Sequence, residues 1–327
     1  MNESKLLLPS EAAELISQGQ TLLIAGEEAS LKKLPRGQWI GGNIPYFMAE
    51  EGGVVDRERV LVHRLPASVK AEATAFYDAA GLASIYEDGP RKGVNFIIIP
   101  ALSSAHLDFA RYAHSYPGYL TKPVAGWVAG VHLSELGANT PKVFDGASGE
   151  CCSERAVVLR AEITGDLDPR VDIVNIFEQG DGDVLVFPAD GFSADKVHVN
   201  GEPQSFAAYL RDNAVDLRLP LVANYYGANV NVSFQGVDDA TGEVKFYAPV
   251  FEGVEYKLAR PIDDYAKAFE AHVPAEAADS VFSCNCILNY VHGELEGKKV
   301  GTAKSPMTFG EIAYQLLNQT FVYVDLA

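Results

Sequence analysis

Apolar runs of strand length recur along the whole chain, and glycine or proline interrupts or borders many of them. Residues 21–25, 59–65, 94–99, 155–163, 183–188, 196–199, 244–250, 281–287, 308–314 and 320–324 read as strands, and 123–133 as a strand with internal glycines. Glycine inside a strand marks a bulge or a close approach of another backbone. Helical spacing is expected at 11–18, 30–34, 67–80, 103–115, 206–213 and 262–272. Strands and helices alternate only loosely, which disfavours a doubly wound parallel sheet. The fold class expected is α+β: two fused lobes with mixed, largely antiparallel sheets and peripheral helices.

Size and charge narrow the function classes. At 327 residues the chain exceeds the length at which one hydrophobic core stops growing, and 48% apolar residues supply ample material for packing. The 44 acidic against 26 basic side chains give a formal charge of −18. Such a surface repels phosphate backbones and anionic lipid, so neither nucleic acid nor a membrane is an expected partner. A small-molecule ligand suits it better. No apolar run of signal-peptide length opens the chain, so a cytoplasmic location with reduced thiols is expected for Cys151, Cys152, Cys284 and Cys286.

Two local patterns stand out. Asn200-Gly201 is a strong turn signal. The order strand, helix, glycine-bearing strand occurs around Phe96, His106 and Gly126–Gly130, and again around Val281, Met307 and Gly310. This echo reads either as duplication of one half-unit or as coincidence.

Several ordered segments of the second half resemble the C-terminal part of the FIST (F-box and intracellular signal transduction) family. They are Gly201-Glu-Pro-Gln-Ser-Phe-Ala-Ala-Tyr-Leu210, residues 249–260 ending in Arg260, Val281-Phe-Ser-Cys-Asn-Cys286, Phe309-Gly-Glu-Ile312 and Asn318-Gln-Thr-Phe-Val322. One departure is Asn285-Cys286-Ile287-Leu288, where the family carries a Gly-Arg pair. The resemblance implies a FIST-like lobe over 1–199, a second over 200–327, and a sensory role in small-ligand binding, with amino acids among the candidate ligands. Any signal would pass to a separate protein partner.

The resemblance also brings Cys284 and Glu311 into one half-unit, where thiol and carboxylate would line a ligand pocket. The alternative is a buried cysteine and a solvated strand-end charge. Cys284-x-Cys286 would point two thiols to one face, but a zinc site needs further ligands from Cys151, Cys152 or His292. Residues 39–47 combine Trp39, Gly42, Asn43 and Tyr46, which suit wrapping of a small ligand or, equally, a core strand with glycines where backbones cross. His132, near the end of the first glycine strand, is a further pocket candidate. The chain has no serine elbow, phosphate loop, zinc-protease helix or Gly-x-Gly-x-x-Gly motif. No cofactor and no catalytic residue is therefore assigned. The rival functions are a thiol-dependent enzyme using Cys284 and an acidic protein-interaction scaffold.

Overall fold

The computed structural model describes residues 3–225, 227–238 and 240–327. Among these, three strand pairs run parallel: Leu22–Gly26 with Trp39–Asn43, Gly93–Pro100 with Val124–Ala129, and Phe282–Cys286 with Ser305–Thr308. Parallel neighbours need a crossover. The three crossovers carry the helices Glu28–Leu31, Ser104–Tyr112 and Ile287–His292. The second and third are the two places where the order strand, helix, glycine-bearing strand occurs in the sequence. All other strand pairs are antiparallel, and strand outweighs helix at 43% against 18%, as an α+β fold requires.

Each parallel pair lies inside its own six-stranded sheet. The first sheet also holds Glu3–Leu7, Val60–Arg64, Val143–Asp145 and Glu150–Cys152. The second adds Val69–Tyr77, Ala156–Ile163, Glu311–Ala313 and Gln315–Leu317, and the third adds Tyr46–Ala49, Gly52–Val55, Pro169–Val174 and Phe321–Leu326. The three sheets meet around Phe282. Its ring stacks on Trp127 of the second sheet at 5.7 Å and meets Phe96 edge-on at 5.6 Å and His63 of the first sheet at 5.3 Å. Gly42 lies where the first sheet faces the second, and a Cβ there would stand 2.7 Å from Ile98 and 3.0 Å from Ala129. Only glycine lets those two sheets close.

Strands from Leu185–Val186 to Glu255–Leu258 pair only with one another, in one six-stranded and one three-stranded sheet. They enclose a separate aromatic core of Phe187, Phe206, Phe234, Phe246 and Tyr256. This insert lobe leaves and re-enters the three-sheet body beside the bridge between Gln179 and Ala259. The boundary expected between 199 and 200 falls in the turn joining Lys196–Val199 to Glu202–Ser205. Hydrogen bonding groups the chain instead as a body, built from both ends, and an insert.

The helix expected at 67–80 is the strand Val69–Tyr77, paired with Ala156–Ile163 along its length. Its alanines and Glu72 favour helix locally, and the ladder overrides that weak preference. The single strand expected at 308–314 is two strands in different sheets, Ser305–Thr308 and Glu311–Ala313, separated at Phe309-Gly310.

Candidate functional site

A cleft of about 470 Å³ opens between the body and the insert lobe. One wall begins where strand Gly93–Pro100 turns into helix Ser104–Tyr112. Ser103 caps that helix, its hydroxyl accepting from the His106 N–H at 3.1 Å and donating to the Pro100 carbonyl at 2.7 Å. The turn forces Leu102 into the left-handed region at φ 64°, leaving its side chain 74% exposed at the cleft. Leucine branches at Cγ and not at Cβ, so this conformation costs it less than it would valine, yet a non-glycine residue adopts it only when its surroundings dictate it.

The Leu102 N–H donates to His106 Nδ1 at 3.2 Å, so the ring proton resides on Nε2. Burial pushes the His106 pKa down to about 4, and the ring is neutral at pH 7. Its Nε2 has no partner among the described residues and is closed off from water. Asn318, in the segment between Gln315–Leu317 and Phe321–Leu326, shows the complementary defect. Its Nδ2 donates to the Leu317 carbonyl at 3.0 Å, and its backbone carbonyl accepts from Asn231 Nδ2 at 3.0 Å, while its buried Oδ1 has no partner among the described residues. Leaving such a group unpaired costs about 1–3 kcal/mol. Both residues line the cleft.

The rest of the lining is apolar. Leu102, Leu107, Leu136 and Val291, all exposed, ring it, with Phe192 and Phe246 of the insert lobe opposite. Single exposed leucines are ordinary, but several around one concavity mark a binding surface. Lys245 is the one lysine, arginine or carboxylate among the described lining residues, and Glu243 stands 4.0 Å from its ammonium.

Segment 318–320 also joins the two lobes. Gln319, at φ 51°, accepts from Ser233 Oγ at 2.6 Å and donates to the Arg218 carbonyl at 2.9 Å, both in the insert. Thr320 turns inward, and its N–H and hydroxyl donate to Glu311 Oε2 at 3.1 and 2.9 Å.

The structure does bring Cys284 and Glu311 into one neighbourhood, since each affects the other electrostatically, but from two different sheets. Both are fully buried and neither lines the cleft. Glu311 also accepts from Thr308 Oγ1 and from the Cys286 thiol; desolvation nevertheless dominates and pushes its pKa up to about 8. Cys284 donates to the Gly126 carbonyl at 3.1 Å. Burial, with the Glu311 charge second, raises its pKa well above that of a free thiol, which removes the thiolate character a nucleophile needs. Among the described residues, no group of three or more His, Cys, Asp or Glu is placed to hold a metal ion.

The residues of 39–47 scatter. Trp39 donates to the Pro35 carbonyl at 2.9 Å beside a separate hollow of about 140 Å³. Gly42 is at the sheet contact described above, and Asn43 Oδ1 accepts the Lys142 N–H at 3.0 Å. Tyr46 and His132 do meet, their rings stacked at 5.4 Å, and the Tyr46 hydroxyl accepts from the N–H of Leu133, which lines the cleft. They stand behind the wall and are not part of its surface. Sequence reasoning passed over Leu102, Leu136 and the chemistry of His106. The Ser103 cap after an apolar run was the available signal for His106, and the polar triplet 318–320 between two apolar strands was the signal for Asn318.

A family of unknown function, DUF6976, matches the chain over residues 7–327, and the chain belongs to that family. This match overturns the FIST resemblance: it runs through both halves of the chain, and no FIST match accompanies it. No curated protein and no solved structure matches the chain. Among the described residues, no helix is long and apolar enough to cross a membrane.

Proposed function

We propose that this protein binds a small, largely apolar molecule in the cleft between the body and the insert lobe, and that occupancy fixes the two lobes relative to each other. One observation carries the reading: two residues on an apolar cleft wall, His106 and Asn318, each hold a buried polar atom that no group among the described residues satisfies. Native interiors rarely leave such atoms unpaired, and a ligand that completes them gains what the empty protein forgoes. Both atoms are closed off from water, so the wall must adjust as the ligand enters. The strap 318–320 connects that wall to the insert through Asn231, Ser233 and Arg218. A change in lobe contact is the signal a separate protein partner would read.

A thermal-shift screen of metabolites against wild type and Leu136→Trp tests the reading. A ligand at about a hundred times its Kd adds roughly 2.7 kcal/mol to the native state, which raises Tm by a few degrees. Leu136 is half exposed, so tryptophan there fills the cleft without disturbing the core. Hits abolished by Leu136→Trp are expected. Hits that survive it place the ligand elsewhere and defeat the proposal.

A further inference from the structure

We infer that a second cavity between the body and the insert lobe binds a small organic ammonium compound, its cationic head seated among the rings of Tyr119, Tyr225, Tyr256 and Phe251 and balanced by Asp190 and Glu252. The cavity measures about 760 Å³, room for a whole small molecule, and it shares no lining residue with the first cleft. Both lobes build it. The body supplies Tyr119 and Leu120, which follow helix Ser104–Tyr112, and the hairpin of Glu311–Ala313 with Gln315–Leu317. The insert supplies Tyr225 and Tyr256 from paired strands, while Asp190 and Phe251 flank the paired residues Gly191 and Val250. Tyr314, at the tip of the hairpin, and the exposed Leu120 are held in the left-handed region at φ 62° and 64°. Non-glycine residues in that region gather at ligand sites.

The hydroxyls of three tyrosines are already engaged, which leaves their rings for a ligand. Tyr119 donates to Gln315 Oε1 at 3.3 Å, and its ring stands edge-on to Tyr86 at 5.7 Å. The Tyr256 hydroxyl accepts the Phe251 N–H at 3.0 Å and is hydrogen-bonded to Tyr225. Tyr119 and Tyr225, from opposite lobes, are close enough to act on each other electrostatically, as are Tyr256 and Asp190. Rings and carboxylate thus share one neighbourhood. Asp190 and Glu252 are both exposed, and Asp190 Oδ1 accepts the Glu252 N–H at 2.7 Å. No lysine or arginine is among the described lining residues; His114, its ring edge-on to Phe251 at 5.2 Å, is the one basic side chain there. A cation beside aromatic rings gains from their quadrupoles, which an uncharged body of the same shape does not. The net charge of −18 draws cations to such a mouth, and an anion would meet two carboxylates.

The test compares choline with its uncharged isostere 3,3-dimethylbutan-1-ol. Each is titrated with the wild-type protein at low ionic strength, and the broadening of its trimethyl singlet is followed by NMR. Choline is expected to bind at least about tenfold more tightly, because charge is all that separates the two. Tyr225→Ala should weaken choline about fivefold, whereas Tyr225→Phe, which keeps the ring, should hold it within about twofold. Asp190→Asn combined with Glu252→Gln should weaken choline about tenfold and leave the alcohol unchanged. The same charge change at Glu14 and Glu58, exposed and outside the cavity, is the control. Choline binding should persist in Leu136→Trp, which fills only the first cleft, so the uncharged hits of the metabolite screen remain the measure of that cleft. The inference is overturned by an alcohol that binds as tightly as choline, by no saturable choline binding, or by equal losses from the control pair and the cavity pair. Loss of choline binding in Leu136→Trp overturns it as well. The isostere comparison uses wild-type protein alone and stands even if a variant does not fold.

Discussion

Two of the molecule's buried polar centres differ in whether the protein completes them. Around Glu311, every partner is supplied from within: Thr320 twice, Thr308 and Cys286. Around the cleft, His106 Nε2 and Asn318 Oδ1 are left open. Glu311 has the more strongly perturbed chemistry and Cys284 beside it is the more reactive residue type, yet that centre is sealed and self-sufficient. A satisfied buried network rigidifies a fold, whereas an unsatisfied one calls for a partner from outside. Perturbed pKa values alone would have selected the sealed centre.

The largest expected effect lies at the sealed centre. Glu311→Ala strands the Thr320 N–H and hydroxyl and leaves a cavity, so chemical denaturation should show a loss of about 3–5 kcal/mol. Next comes pH. Glu311 titrates near 8 when folded and near 4.5 when unfolded, so the native state holds the extra proton between those values and stability falls as pH rises through that window. His63 and His106, held near 4, act oppositely: stability rises with pH from about 4 to 6.5, because the unfolded chain binds their protons first. From pH 6.5 to 8 the carboxyl dominates this balance, with a loss on the order of 2 kcal/mol that Glu311→Gln should remove. A wild-type profile as flat as that of Glu311→Gln would break the contrast. The smallest effect belongs to the open centre. His106→Phe removes an unpaired donor along with the Nδ1 acceptor, so its stability cost should stay below about 1–2 kcal/mol while ligand binding suffers.

Much of the architecture was legible in the sequence. The apolar runs marked most interior strands of the three body sheets but passed over others such as Val143–Asp145, Pro169–Val174 and Leu221–Tyr225, and Asn200-Gly201 turns where expected, between Lys196–Val199 and Glu202–Ser205. Val69–Tyr77 was misread because its alanines carry helix preference while its partner Ala156–Ile163, nearly ninety residues away, decides its conformation. Long-range pairing also hid the insert lobe, whose limits are set by which strands find each other and by no break in composition. The site was less legible still. The left-handed turn at Leu102 has no glycine to announce it, and whether a buried histidine or asparagine is satisfied depends on neighbours such as Leu317, Asn231 and the Leu102 N–H. Cys284 and Glu311 attracted attention as residue types, and they do meet, but only the surrounding threonines show that they need nothing further.

The contrast between the two centres is tested most directly by the rise in Tm induced by a hit from the metabolite screen, measured side by side in wild type, Cys284→Ala and His106→Phe. The account predicts that Cys284→Ala, although less stable, keeps the full ligand-induced rise and that His106→Phe loses most of it. A rise abolished by Cys284→Ala and intact in His106→Phe would contradict the account and return the site to the sealed centre.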